Sequence, residues 1–196
     1  MTYFLGDVMK FGIDYDGTIA DTSSMKVIWI KENLGKDVPP WKTDRTSCVP
    51  LIGLENYEKM SDAVYESDLT MRAPEIPGAI KAIKKLAKKG ELYIITARLA
   101  HRVKYAQEWL ASKGILELFS GFRTSDKVNG IKKTKQELCL ELGLDILIDD
   151  DQRHLVEIKL PKLRKILIKH GSSEEIRLPD IEYVKSWNDV LKLLEK

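Results

Sequence analysis

Cysteine is nearly absent: Cys48 and Cys139 are the only two in 196 residues. They show none of the paired spacings that hold zinc. Two isolated thiols in a chain with no secretory segment are expected to stay reduced, so a disulfide framework and a thiolate metal site are set aside. An excess of either charge is also missing, because 32 basic residues against 30 acidic ones leave a net charge of +2. That balance argues against extensive nucleic-acid binding. No apolar run approaches the length of a membrane span, so no membrane partner is expected. The opening MTYFLGDV has neither the basic start nor the apolar stretch of a secretory leader. Internal repeats and low-complexity tracts are lacking too. These absences leave a cytoplasmic protein long enough to bury a substantial core.

What is present is an alternation of strands and helices. Apolar runs read as strands around Phe11–Ile13, in ELYIITAR ending at Thr96, more weakly in LFSGFRTSD, in LDILIDDD, and in RKILIKHG. Between them stand helical stretches. Residues 77–90 place Ile80, Ile83 and Leu86 inward and Gly90 at the end. Residues 101–113 place Val103, Ala106, Trp109 and Leu110 inward, residues 131–142 precede Gly143, and the terminal SWNDVLKLLEK is capped by Ser186. This order specifies an α/β fold with a parallel sheet and helices on both faces. Such sheets bind ligands at the carboxyl ends of their strands. Asp14, Thr96, Asp149 and Asp150 all stand at strand ends, so the fold would gather them at one edge.

Residues 22–75 break the alternation. A helix from about Asp21 to Gly35 is followed by the proline-rich loop DVPPWKTDRTSCVP, then by a helix over 54–69 with Leu54, Tyr57, Met60 and Val64 on one face. The segment reads as a helical lid inserted after the first strand, with residues 1–21 and 76–196 forming the core.

The string KFGIDYDGTIADT is the most specific feature. It places Asp14 and Asp16 at a strand end, just before the turn residue Gly17. Two carboxylates so close repel each other, and a divalent cation with a taste for oxygen ligands would relieve that repulsion. The run Asp14-Tyr15-Asp16-Gly17-Thr18 resembles the first motif of the haloacid dehalogenase (HAD) superfamily. The resemblance implies a Rossmann-like α/β/α sandwich and a Mg²⁺-dependent phosphatase, with Asp14 as nucleophile and Asp16 as general acid and base. It implies that Thr96, ending the second strand, donates its hydroxyl to phosphate, and that Ala97 and Arg98 of ITAR help to hold the phosphate or substrate. The family's third motif is a basic residue, carried here by Lys135, with Lys132 or Lys133 as substitutes and Lys127 less favoured. The fourth motif is the acidic strand end, with Asp150 as direct metal ligand beside Asp14 and the Asp16 carbonyl, Asp149 as a secondary ligand, and Asp151 as cap of the next helix. His154 is read as a surface helix residue.

The segments ITAR and ELCLELGLDILIDD are similar to the branch containing 5'(3')-deoxyribonucleotidases. That likeness implies a small phosphate ester, with a nucleoside monophosphate as candidate, and a lid aromatic such as Trp41 against the base. A phosphomutase or phosphotransferase acting on a sugar phosphate would use the same parts. A binding protein that kept the fold and lost turnover is the third reading, and the intact acids count against it.

Overall fold

The computed structural model describes residues 8–169 and 177–195; the opening residues 1–7 and His170 lie outside them. The chain begins with β1 (Met9–Ile13), then runs through α1 (Thr22–Leu34), α2 (Arg45–Ile52), α3 (Leu54–Glu66) and α4 (Asp68–Arg72) before α5 (Ala79–Leu86). There follow β2 (Gly90–Thr96), α6 (Val103–Ser112) and β3 (Phe119–Thr124), then a small hairpin of β4 (Lys127–Val128) and β5 (Ile131–Lys132), and α7 (Lys135–Leu142). The last elements are β6 (Ile146–Asp149), α8 (Gln152–Glu157), β7 (Arg164–Ile168), β8 (Glu182–Val184) and α9 (Trp187–Leu193).

Six strands form one parallel sheet in the order β3-β2-β1-β6-β7-β8. The central strands alternate between two cores, as a period of two requires. Phe11, Ile13, Ile94, Ile148 and Ile166 face a larger core shared with α5, α6 and α9, while Ile95, Leu147 and Leu167 face a smaller one with α7 and α8. Burying each such aliphatic side chain contributes about 1.5–3 kcal/mol. Two tryptophans in the larger core also spend their indole N–H groups on tertiary ties. Trp109 donates to the Ala73 carbonyl at 2.9 Å, and Trp187 donates to the Thr18 carbonyl at 2.8 Å.

Several boundaries differ from the sequence expectation. The helix expected to reach Gly90 ends at Leu86, and Gly90 instead opens β2. A Cβ there would lie 1.9 Å from the Met9 carbonyl oxygen, so β1 and β2 approach too closely for any side chain. The proline-rich stretch holds a full helix, α2, whose N-cap Asp44 accepts from the Thr46 and Ser47 amides and which tolerates Pro50 inside it. The helix expected over 54–69 breaks at Ser67 into α3 and α4, and Leu54 is exposed rather than inward. Ile131 lies in the hairpin. Helix α7 starts later, at Lys135, where a reciprocal capping box between its N-cap Thr134 and Glu137 fixes the first turn. The short edge strand β8 was not expected.

Candidate active site

Strand β1 delivers Asp14 to the carboxyl edge beside β6, and the Asp14 amide donates to the Ile148 carbonyl at 2.9 Å. Asp14 and Asp149 are buried there on neighbouring strands. Capping at Thr134 aims the first residue of α7 at both: Lys135 Nζ donates to Asp14 Oδ1 and to Asp149 Oδ2, each at 2.7 Å. Of the four lysines considered from sequence, Lys135 is the one at the acids. Lys133 pairs with Glu141, and Lys127 and Lys132 stand on the exposed hairpin.

Asp150 sits on the other side of the cluster, where its Oδ1 accepts from the Thr18 hydroxyl at 3.0 Å. Gly17 makes room for it. Its φ is +79°, and a Cβ would fall 2.1 Å from Asp150 Oδ2. Carboxylate oxygens of Asp14, Asp149 and Asp150 can all be chosen within 4.8 Å of one another. Burial pushes the Asp14 carboxyl up to about 7, with Lys135 only partly offsetting it and Asp149 adding to it. Asp150 is pushed well above the usual carboxylate range by burial and then by Asp149 and Asp14. For Asp149 burial acts upward as well, but Lys135 and His154 outweigh it and hold the carboxyl at about 2. Ionised together, the three carboxylates would carry more negative charge than Lys135 neutralises, which adds to the upward push of burial on Asp14 and Asp150. An all-oxygen donor set with a charge deficit fits a hard divalent cation such as Mg²⁺.

His154 departs from the sequence reading. It is half-buried, with Nδ1 3.2 Å from Asp149 Oδ2 and 3.2 Å from Lys135 Nζ, so it belongs to the cluster's surroundings and not to the surface. Its spacing from Asp149, one helical turn beyond the strand end, was the available signal. Asp151 caps α8, accepting from the Arg153 amide.

Thr96 ends β2 and is buried, its Oγ1 accepting from the Arg98 amide at 3.1 Å. Ala97 is exposed. Arg98 is 5% exposed and engages Asp16: Nε donates to Oδ2 at 2.7 Å and Nη2 to Oδ1 at 2.8 Å. Burial acts upward on Asp16, yet Arg98, Lys26 and the Thr22 hydroxyl together hold its carboxyl below the usual range. Trp41 is about half exposed, in the turn Pro40–Lys42, and among the described residues no ring contact or hydrogen bond joins its side chain to the acids.

Arg153 and Arg102 tie the helices between β1 and α5 to the sheet edge. Arg153 reaches Asp44 Oδ1 at 3.0 Å and Thr46 Oγ1 at 3.3 Å. Arg102 reaches Ser61 Oγ at 2.9 Å, Glu66 Oε1 at 2.6 Å and Asp62.

This fold and edge arrangement are those of HAD-like hydrolases. A hydrolase of the haloacid dehalogenase-like family from Streptococcus pneumoniae superposes with a TM-score of 0.69 at 20% identity, covering 95% of this chain and 98% of its own. A HAD-superfamily hydrolase of subfamily IA from Geobacter sulfurreducens gives 0.66 at 14%, covering 99% and 100%. In sequence, a Bacillus cereus protein named "Putative nucleotidase" is 23% identical over 203 residues, covering 96% of this chain and 99% of its own. The model of the family described as 5' nucleotidase, deoxy (pyrimidine), cytosolic type C protein matches residues 8–196. The chain belongs to that family and is a HAD-type phosphoric monoester hydrolase.

Proposed function

We propose that the protein is a Mg²⁺-dependent phosphomonoesterase acting through a phosphoaspartate on a small phosphate ester, with a nucleoside monophosphate as the candidate. The observation that carries this reading is Lys135 lying 2.7 Å from both Asp14 and Asp149, next to Asp150. An attacking carboxylate, a fixed ammonium and a place for a cation are the parts that phosphoryl transfer needs.

Asp14 Oδ attacks phosphorus, the bond from phosphorus to the ester oxygen breaks, and Asp16 gives its proton to the departing oxygen. Water then attacks the phosphoaspartate and returns a proton to Asp16, and the bond to Asp14 breaks to release phosphate. Lys135 and the Thr96 hydroxyl steady the phosphoryl oxygens. Asp14, Asp150, the Asp16 carbonyl and, secondarily, Asp149 would hold Mg²⁺, which supplies charge to offset repulsion between carboxylate and phosphate. Ala97 and Arg98 help to hold the phosphate or substrate, and Trp41 is assigned to the substrate's outer end. Residues 22–75 act as the lid over a core of residues 1–21 and 76–196. A cytoplasmic setting accords with two buried thiols free of a disulfide.

The test is phosphate release from a panel of p-nitrophenyl phosphate, nucleoside and deoxynucleoside monophosphates and sugar phosphates, with and without Mg²⁺, using Asp14→Asn as the blank. Mg²⁺-dependent release above the blank supports the reading. Isomerisation of a hexose phosphate in place of release would shift it to a mutase.

A further inference from the structure

The interface between α1, α3 and the loop after β2 buries Lys26, Arg98 and Arg102; Glu66 and Asp62 of α3 take Arg102, which leaves Asp16 to serve the other two cations. Lys26, on α1, is 7% exposed, and Arg98 is 5% exposed. Asp16 is the shared counter-charge, and Arg98 already takes both its oxygens through Nε and Nη2. Among the described residues Lys26 forms no ion pair. Its polar partner is the Tyr65 hydroxyl, and its Nζ lies 5.2 Å from the centre of the Tyr65 ring. The Arg98 guanidinium stacks against that same ring at 4.8 Å and against Tyr15 at 4.6 Å, and its third nitrogen, Nη1, is buried without a partner. An unfilled buried donor is costly, so a fold that keeps Arg98 Nη1 without a partner, beside the same ring as Lys26, has a place for an acceptor that arrives with the ligand. The scissile phosphate is not that acceptor. The cation bonded to Asp14 is Lys135, whereas Arg98 is bonded to Asp16. The Asp16 side is where the leaving group departs.

We propose that Lys26 Nζ and Arg98 Nη1 form a subsite for a second negative charge, carried by the leaving group of the substrate. The inference rests on the phosphatase reading and narrows it to esters whose leaving group bears its own carboxylate or phosphoryl group. Lys26 is then a specificity-determining residue contributed by the inserted helices.

Two matched pairs separate charge from shape: phosphoglycolate against 2-hydroxyethyl phosphate, and deoxyuridine 3',5'-bisphosphate against deoxyuridine 5'-monophosphate. Binding is measured by calorimetry with Mg²⁺ on Asp14→Asn, and kcat/KM on the enzyme with Asp14 intact. The expected result is at least tenfold tighter binding of the charged member of one pair, and which pair responds tells carboxylate from phosphoryl. Adding Lys26→Met should bring that ratio close to one, and Lys26→Arg should restore most of it. Circular dichroism and melting of the ligand-free Lys26→Met variant establish that it is folded. A charged-to-neutral ratio near one in both pairs, or a ratio that Lys26→Met leaves intact, overturns the subsite. Should the Met variant fail to fold, the ratios of the Lys26-containing protein still decide. A charge preference in binding with no turnover of any ester would support the subsite and count against the phosphatase reading alone.

Discussion

Arg98 holds Asp16, two residues beyond the proposed nucleophile Asp14, by two parallel hydrogen bonds of 2.7 and 2.8 Å. The grip fixes the rotamer of the proposed acid and keeps its carboxyl below the usual range against the upward push of burial. Replacing Arg98 with Met strands that carboxylate. Stability should fall by about 3 kcal/mol, as when one partner of a largely buried pair is removed. The Asp16 pKa should rise, so the acid stays protonated to higher pH and the basic limb of kcat moves upward. A pH–rate profile on a slow alkyl phosphate checks this, and a limb that stays in place would remove Asp16 from the acid role.

Asp14→Asn should lower turnover by roughly a thousandfold or more, because the amide cannot attack phosphorus while the rest of the site remains. Circular dichroism and melting establish that the variant is folded. Trapping and mass analysis of the intact protein should find a labile phosphoryl adduct only when Asp14 is present. Activity within tenfold of the parent would move the nucleophile elsewhere.

Gly17→Ala tests the tightest contact in the site. The left-handed φ of +79° costs about 1–2 kcal/mol for alanine, and the added methyl would meet Asp150 Oδ2 at 2.1 Å. Asp150 must shift, breaking its bond from Thr18. The expected outcome is a lower melting temperature together with weaker Mg²⁺-induced stabilisation, read by thermal shift across a metal titration.

Metal binding should depend on pH with a definite sign. Asp14 is raised to about 7 from an unfolded value of 3.8, and Asp150 is raised as well. Each is protonated more readily in the folded protein than in the unfolded chain. Their favourable contribution is therefore full below about 4 and is lost as pH rises through the folded values. Asp149, lowered to about 2, acts in the opposite direction, but only between about 2 and 4. A bound cation displaces those protons and offsets the repulsion that replaces them. The increase in Tm produced by Mg²⁺ should accordingly grow from pH 5 to pH 8, with proton release on binding at pH 6. An increase that shrinks over that range would contradict the burial of an acidic cation site.

The elements that carry the chemistry were legible because each couples a buried apolar run to a polar residue at its end. Asp14 after Phe11–Ile13, Thr96 after Ile94–Ile95, and Asp149 after Ile146–Ile148 all follow that rule, and parallel order brings their ends together. Lys135 was less distinct among neighbouring lysines, since what selects it is the capping box at Thr134 and the hairpin ahead of it. Lys26 and His154 were missed for a shared reason. Each is a polar residue on a helix, and only tertiary packing turns it inward, onto Tyr65 in one case and Asp149 in the other. Helix α2 was obscured by Pro50, and β8 is only three residues long, so neither left a periodic signal.

The bond from Trp187 to the Thr18 carbonyl joins α9 to the loop that follows Asp14, the proposed nucleophile. Synthesis makes that loop 169 residues before its anchor. Strand β1 likewise waits for β6, which comes more than a hundred residues later in the chain. A nascent chain therefore has its proposed catalytic aspartates well before their cradle is finished, and the site is complete only once α9 has emerged and docked.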